Sequence, residues 1–275
     1  MKLGYNEATC MNNSTLQKDL ELCEKYGYDY IEIRLDMLEN YLKENTIADL
    51  KNFFDTHNLK PYGFNSIENI NFCSTVEWKA LLELVKFACE TSQVIGGNCL
   101  VVVPTMGPEM KNKSEQEIFE DSVKVLKELS DFVEPYGMKL ALEPIGDDRW
   151  CVRSIEEALN IIEEVNRENV GIALDSFNEF LYCKLDDIDS IDEIPPEKIF
   201  VYHIDDSDDI PLGILDHCHR LLPGNGIIPL NEFSEKLKNK GYDGICSVEL
   251  FNPGYWTMNA EDVFRLAAEK TKKFL

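Results

Sequence analysis

KLALE (139–143), VGIALD (170–175), IFVYH (199–203) and ICSVE (245–249) are four mostly apolar runs, and each closes on a side chain that binds metals: Glu143, Asp175, His203 and Glu249. These ends lie 32, 28 and 46 residues apart. A strand followed by a crossover helix takes up about 30 residues, so each gap holds one βα unit or one unit with a long loop. Parallel strands deliver their C-terminal ends to one face. Any one of these four residues, taken singly, reads more often as structural than as functional. Three carboxylates gathered on one face without a cation would be costly, however, so the set reads as a divalent-metal site. Three oxygen donors with one imidazole suit Mn²⁺, Zn²⁺, Co²⁺ or Mg²⁺.

Outward from these runs the same alternation fills the chain. Further strand candidates are KLGYNE (2–7), YDYIEIRL (28–35), LKPYGFN (59–65) and CLVVVP (99–104). Helical patterns lie between them. Leu16, Leu20 and Cys23 share a helical face that ends at Gly27. Leu81, Leu82, Val85 and Ala88 do the same before Gly96 and Gly97. Ser114 with Glu117 three residues later predicts a capping box. Ser154 opens a helix with Ala158, Ile161, Ile162 and Val165 on one face, and residues 259–275 form the last helix. Eight strands in 275 residues predict a (β/α)₈ TIM barrel built as a single domain over 1–275. A doubly wound open sheet is the alternative. It is weakened by NEATCMNNS (6–14), which stands where a glycine-rich phosphate turn would follow the first strand. The segment 204–244 is predicted to hold an active-site loop.

The composition excludes several roles. Acidic residues number 51 against 27 basic, a net charge of −24, which repels a phosphate backbone and argues against nucleic-acid binding. No apolar run approaches the roughly 20 residues that span a membrane. Nine cysteines without paired spacing, and no signal peptide, predict a cytoplasmic protein with free thiols.

Other polar residues fall near the same rim. Glu7 ends the first strand, Arg34 lies near the end of the second and Asn65 ends the third. Arg220 precedes Pro223-Gly224-Asn225-Gly226, and a guanidinium there suits a substrate oxygen or a metal-bound carboxylate. Surface salt bridges are the plain alternative for both arginines. Trp150, Tyr255 and Trp256 follow strand ends and suit a pocket wall or the core equally. His217 and His219 flank Cys218 like half of a second metal site, although a solvated loop is the simpler reading.

At this point the chain resembles a known family. ALEPIG (141–146), GIALDSFNEF (171–180), FVYHIDDSDDIP (200–211), LPGNG (222–226) and SVELFNPGYW (247–256) are similar to the sugar-phosphate isomerase/epimerase family of xylose-isomerase-like TIM barrels. NEAT (6–9), LELCEKYGYDYIEIR (20–34) and LSDFVEPYG (129–137) bring the resemblance closest to its inosose isomerase branch, which acts in myo-inositol catabolism. The resemblance covers nearly the whole chain. It implies one divalent ion on Glu143, Asp175, His203 and Glu249, with Glu143 and Glu249 also moving protons through an enediolate. Arg220 and Glu7 would orient substrate hydroxyls. Barrels of this type often pair, so a homodimer is an expected assembly. Two departures stand out. Relatives carry His where this chain has Asn178 in the substrate shell, and Ile-Asp where it has Ile227-Ile228-Pro229. The same site also serves ketose 3-epimerisation, hydroxypyruvate isomerisation, inosose dehydration or sugar binding without turnover. Apurinic-site DNA cleavage on this barrel needs several metals and a histidine-rich site, whereas the chain has four histidines.

Overall fold

Eight parallel strands close on themselves in the order β1 (Lys2–Asn6), β10 (Ile245–Val248), β7 (Ile199–Ile204), β6 (Val170–Asp175), β5 (Lys139–Leu142), β4 (Cys99–Val102), β3 (Lys60–Ile67) and β2 (Tyr30–Arg34). The computed structural model describes residues 1–183 and 188–275. Parallel strands need crossover connections, and helices supply them. They are α1 (Leu16–Tyr26), α2 (Leu35–Tyr41), α3 (Ile47–Thr56), α4 (Thr75–Ile95), α5 (Glu115–Val133), α6 (Ile155–Val165), α7 (Ser176–Cys183) and α8 (Leu230–Asn239). A short α9 (Pro253–Trp256) and the terminal α10 (Ala260–Thr271) follow the last strand. The (β/α)₈ expectation holds, and the open sheet is set aside because β1 pairs with β10.

The helix ends follow local chemistry. Ser114 and Glu117 form the predicted capping box, and Ser74 with Glu77 and Ser154 with Glu157 form two more. Gly27 ends α1 at φ 71, in the left-handed region open to glycine. The stretch 204–244 is less loop than its composition suggests. It carries a two-stranded antiparallel sheet, β8 (Asp206–Ser207) with β9 (Arg220–Leu221), and then α8. Leu230, Phe233 and Leu237 recur at helical spacing and are buried, so α8 is amphipathic.

Strand periodicity places the site. Successive side chains alternate between barrel interior and helix layer. Ala141, Ala173, Val201 and Ile245 belong to one small cluster of buried apolar residues, separate from the large core. Two residues further on, at the same parity, come Glu143, Asp175, His203 and Ser247, and then Glu249. The register sets Asp175 opposite His203. The inward face therefore changes from apolar to polar as it reaches the C-terminal rim.

No helix among the described residues is long and apolar enough to cross a membrane, and none of the nine cysteines is in a disulfide. The C-terminal helix locks the barrel seam. Phe264 stacks on Tyr5 with centroids 4.0 Å apart, and Tyr28 meets Tyr5 edge-on at 5.4 Å. Phe264→Ala is expected to cost about 3–5 kcal/mol, measured by denaturant titration.

Candidate functional site

The four strand-end residues meet in one buried ring. Their ligand atoms all lie within 4.8 Å of one another. His203 Nδ1 stands 3.5 Å from Glu143 Oε1, 3.5 Å from Glu249 Oε2 and 4.0 Å from Asp175 Oδ2. His203 Nδ1 is a buried atom with no hydrogen-bond partner among the described residues. The other imidazole nitrogen, Nε2, lies 3.2 Å from Glu32 Oε2. A carboxylate there holds the proton on Nε2 and turns the Nδ1 lone pair into the ring, as behind many metal-bound histidines. The donors fit a divalent cation in number and type.

Neighbouring side chains hold each carboxylate in place. Asn6 and Asn65 both donate to Glu249 Oε1 at 2.9 Å. Asn178 donates its backbone N–H to Asp175 Oδ1 at 2.7 Å and its Nδ2 to Glu143 Oε1 at 3.1 Å. Arg220 is 1% exposed, and its Nη1 stands 2.8 Å from Glu249 Oε2, 2.9 Å from Asp175 Oδ2 and 2.9 Å from Asp205 Oδ2. Asp205 also caps α7 through Ser176 Oγ and the Phe177 N–H. Ring centroids of Phe177 and Phe251 each lie 5.3 Å from the guanidinium carbon. The PGNG turn braces this hairpin. Gly224, Gly226 and Ile228 donate backbone N–H groups to the Asp206 carboxylate. A Cβ on Gly226 would stand 2.1 Å from Ser207 O, so only glycine fits there.

The electrostatics separate the two glutamates. Burial, and then the charge of Glu249, push Glu143 up to about 7. Burial also disfavours charge on Glu249, but His203 and Arg220 outweigh it and hold Glu249 below the ordinary value. Burial raises Asp175 against the pull of Arg220. Burial opposes a proton on His203, yet the Glu249 and Glu32 carboxylates outweigh it and raise its pKa well above the usual imidazole value. A ring with excess negative charge thus recruits protons, and a bound cation would replace them.

A cavity of about 280 Å³ opens beside the ring. Glu143, Glu249, Arg220 and Asn65 contribute to its lining, with Trp150 and Phe251 among the apolar residues around them. Glu7, Arg34 and Trp256, expected at the substrate, do not line this cavity. Glu7 is buried and accepts the Arg34 N–H at 2.7 Å. The Arg34 guanidinium pairs with exposed Asp36 at 3.0 Å, the surface salt bridge weighed above. Trp256 donates to Ala8 O at 3.2 Å, and the Tyr255 hydroxyl accepts the Leu222 N–H at 3.1 Å. Asn178 also stands off the cavity lining, bonded to the ring instead. The His217-Cys218-His219 run forms no second metal cluster among the described residues. His219 Nδ1 accepts the Asp216 N–H, whereas the His217 ring lies against Trp150 and Phe177.

Asn6, Glu32, Asp205 and Phe251 were not singled out from sequence. Glu32 left a signal: it stands between Ile31 and Ile33 in β2, which puts a carboxylate on the barrel's inward face.

Residues 20–274 match the family model described as "Xylose isomerase-like TIM barrel". Inosose isomerase from Bacillus velezensis is 42% identical over 273 residues, covering 99% of this chain and 96% of that protein. Inosose isomerase from Bacillus subtilis is also 42% identical, over 98% of this chain and 96% of its own. A crystal structure of IolI protein with a binding zinc atom superimposes with a TM-score of 0.95 at 41% identity, covering all of this chain and 98% of that one.

Metal binding is expected to weaken with acid. Glu143 must lose its proton to ligate, and its value near 7 puts that loss within the working range. Calorimetric titration of metal-free protein with Mn²⁺ is expected to show affinity falling by roughly tenfold or more from pH 8 to pH 6, with protons released on binding.

Proposed function

Because the chain belongs to the xylose isomerase-like TIM barrel family, we propose that it is an inosose isomerase that uses one divalent ion, Mn²⁺, Zn²⁺, Co²⁺ or Mg²⁺, held by Glu143, Asp175, His203 and Glu249. The observation that carries this reading is the pair of glutamates in one buried ring beside a cavity of small-molecule size. Full-length similarity to inosose isomerases at 42% identity supports the substrate class.

A divalent ion bound there supplies Lewis acidity to a carbonyl and its adjacent hydroxyl. The residues do the rest. One glutamate takes the proton from the hydroxyl-bearing carbon next to the ketone. The other gives a proton to the former carbonyl carbon, and the hydroxyl proton passes across to the former carbonyl oxygen, so the ketone moves one position around the ring. Arg220 and Asn178 fix the carboxylate positions through the contacts described above. Asp175 and His203 only hold the ion.

The substrate is read as uncharged. Among the described residues Arg220 is the one lysine or arginine lining the cavity, and its Nη1 already faces three carboxylates. An anion such as hydroxypyruvate finds no uncommitted side-chain cation there. Inosose dehydration and ketose 3-epimerisation begin with the same proton removal. Product analysis separates them from isomerisation.

Glu143→Gln and Glu249→Gln are each expected to fold normally and to lose at least about 100-fold in kcat on 2-keto-myo-inositol. Near-wild-type turnover in both variants contradicts the mechanism. A wild-type enzyme that epimerises ketoses but leaves the inosose unchanged contradicts the substrate.

A further inference from the structure

The loop between β8 and β9 sends one side chain to the wall of the cavity beside the metal ring, against Arg220. We propose that His217 is the positioning residue for Arg220: its Nδ1 anchors one arm of the guanidinium so that the other arm stays on Glu249 and Asp175.

Arg220 Nη2 lies 3.3 Å from His217 Nδ1, while Nη1 faces the carboxylates. A guanidinium only donates, so the imidazole accepts here and carries its proton on Nε2. Phe177 and Phe251 limit how far the guanidinium shifts along its contacts with them. A ring contact does not fix which arm points where; a directional acceptor does. The imidazole is itself boxed in, with centroids 5.4 Å from Trp150, 5.8 Å from Phe177 and 6.3 Å from Phe251.

The backbone beneath it is stapled as well. Asp216 Oδ1 accepts the His217 N–H at 2.7 Å and takes Arg149 Nη2 at 3.0 Å. Arg149 also pairs with Asp147 at 2.7 Å, which ties the loop after β5 to the loop before β9. One chain of contacts thus runs from Asp147 through Arg149, Asp216, His217 and Arg220 to the ring carboxylates. His217 Nε2 has no hydrogen-bond partner among the described residues, so the contact with Arg220 through Nδ1 is the side-chain hydrogen bond that the structure gives this imidazole. Two of the ring carboxylates rely on Arg220 for their orientation, and groups behind metal ligands set affinity as well as rate.

The kinetic part of this inference rests on the isomerase reading; the metal-binding part does not. The test compares His217→Phe, which keeps a ring but no acceptor, with His217→Asn, whose Oδ1 falls close to the place of Nδ1. His217→Leu serves as a second acceptor-free variant, and circular dichroism checks folding. Calorimetry with Mn²⁺ on chelator-stripped protein is expected to show roughly tenfold or greater loss of affinity for the acceptor-free variants, largely restored in His217→Asn. On 2-keto-myo-inositol kcat is expected to follow the same order; KM is free to shift, because His217 also lines the cavity. Wild-type Mn²⁺ affinity in a folded acceptor-free variant overturns the proposal, as does a His217→Asn as impaired as His217→Phe. If wild-type protein leaves the inosose unchanged while the binding contrast stands, the isomerase reading fails and this inference holds.

Discussion

Glu143, Asp175 and Glu249 are packed into one buried ring with ligand atoms within 4.8 Å of one another. Two unit charges at about 4 Å repel by about 4 kcal/mol at an effective dielectric of about 20. Much of the surrounding structure compensates for that repulsion. Arg220 brings a buried positive charge to two of the three carboxylates, and Asn6, Asn65 and Asn178 supply N–H donors. Glu32 orients the imidazole from outside the ring. What these groups leave open is a cluster of ligand atoms around one point that could hold a metal ion.

The barrel makes this arrangement possible because strand parity is rigid. Residues two apart on a strand share a face, so small apolar residues below and ligands above belong to the same inward column. Ala141 leads to Glu143, Ala173 to Asp175 and Val201 to His203. Four short strands thus aim four side chains without any long loop between ligand and scaffold. The one long excursion, from β7 to β10, brings Arg220 back by a two-stranded hairpin. Its turn is pinned by Asp206 and by a glycine that no other residue can replace.

Much of this was legible in the sequence. Each of the eight barrel strands falls within, or a few residues from, the run predicted for it, because alternation and apolar runs are local signals. The four ligand candidates were legible because each closes such a run. The substrate shell was not. Glu7, Arg34 and Trp256 lie near strand ends in sequence, but nearness to an end does not say which way a side chain turns, and these three turn to backbone and surface partners. Asn6 and Glu32 were missed although each sits at an inward position, because one polar residue in a strand carries little weight alone. The partners of Arg220 come from residues 175, 205, 217 and 249, a convergence no local pattern reveals. At Asn178 the change of residue was readable but the change of role was not, since its amide braces the ring instead of lining the cavity.

The central claim is that the ring holds a divalent ion on which turnover depends. It is tested most directly by metal analysis of the purified protein, exhaustive chelation, and assay on 2-keto-myo-inositol before and after Mn²⁺ is returned. The account predicts one divalent ion per chain, loss of activity on chelation and recovery on addition. Full activity in chelated protein would contradict it.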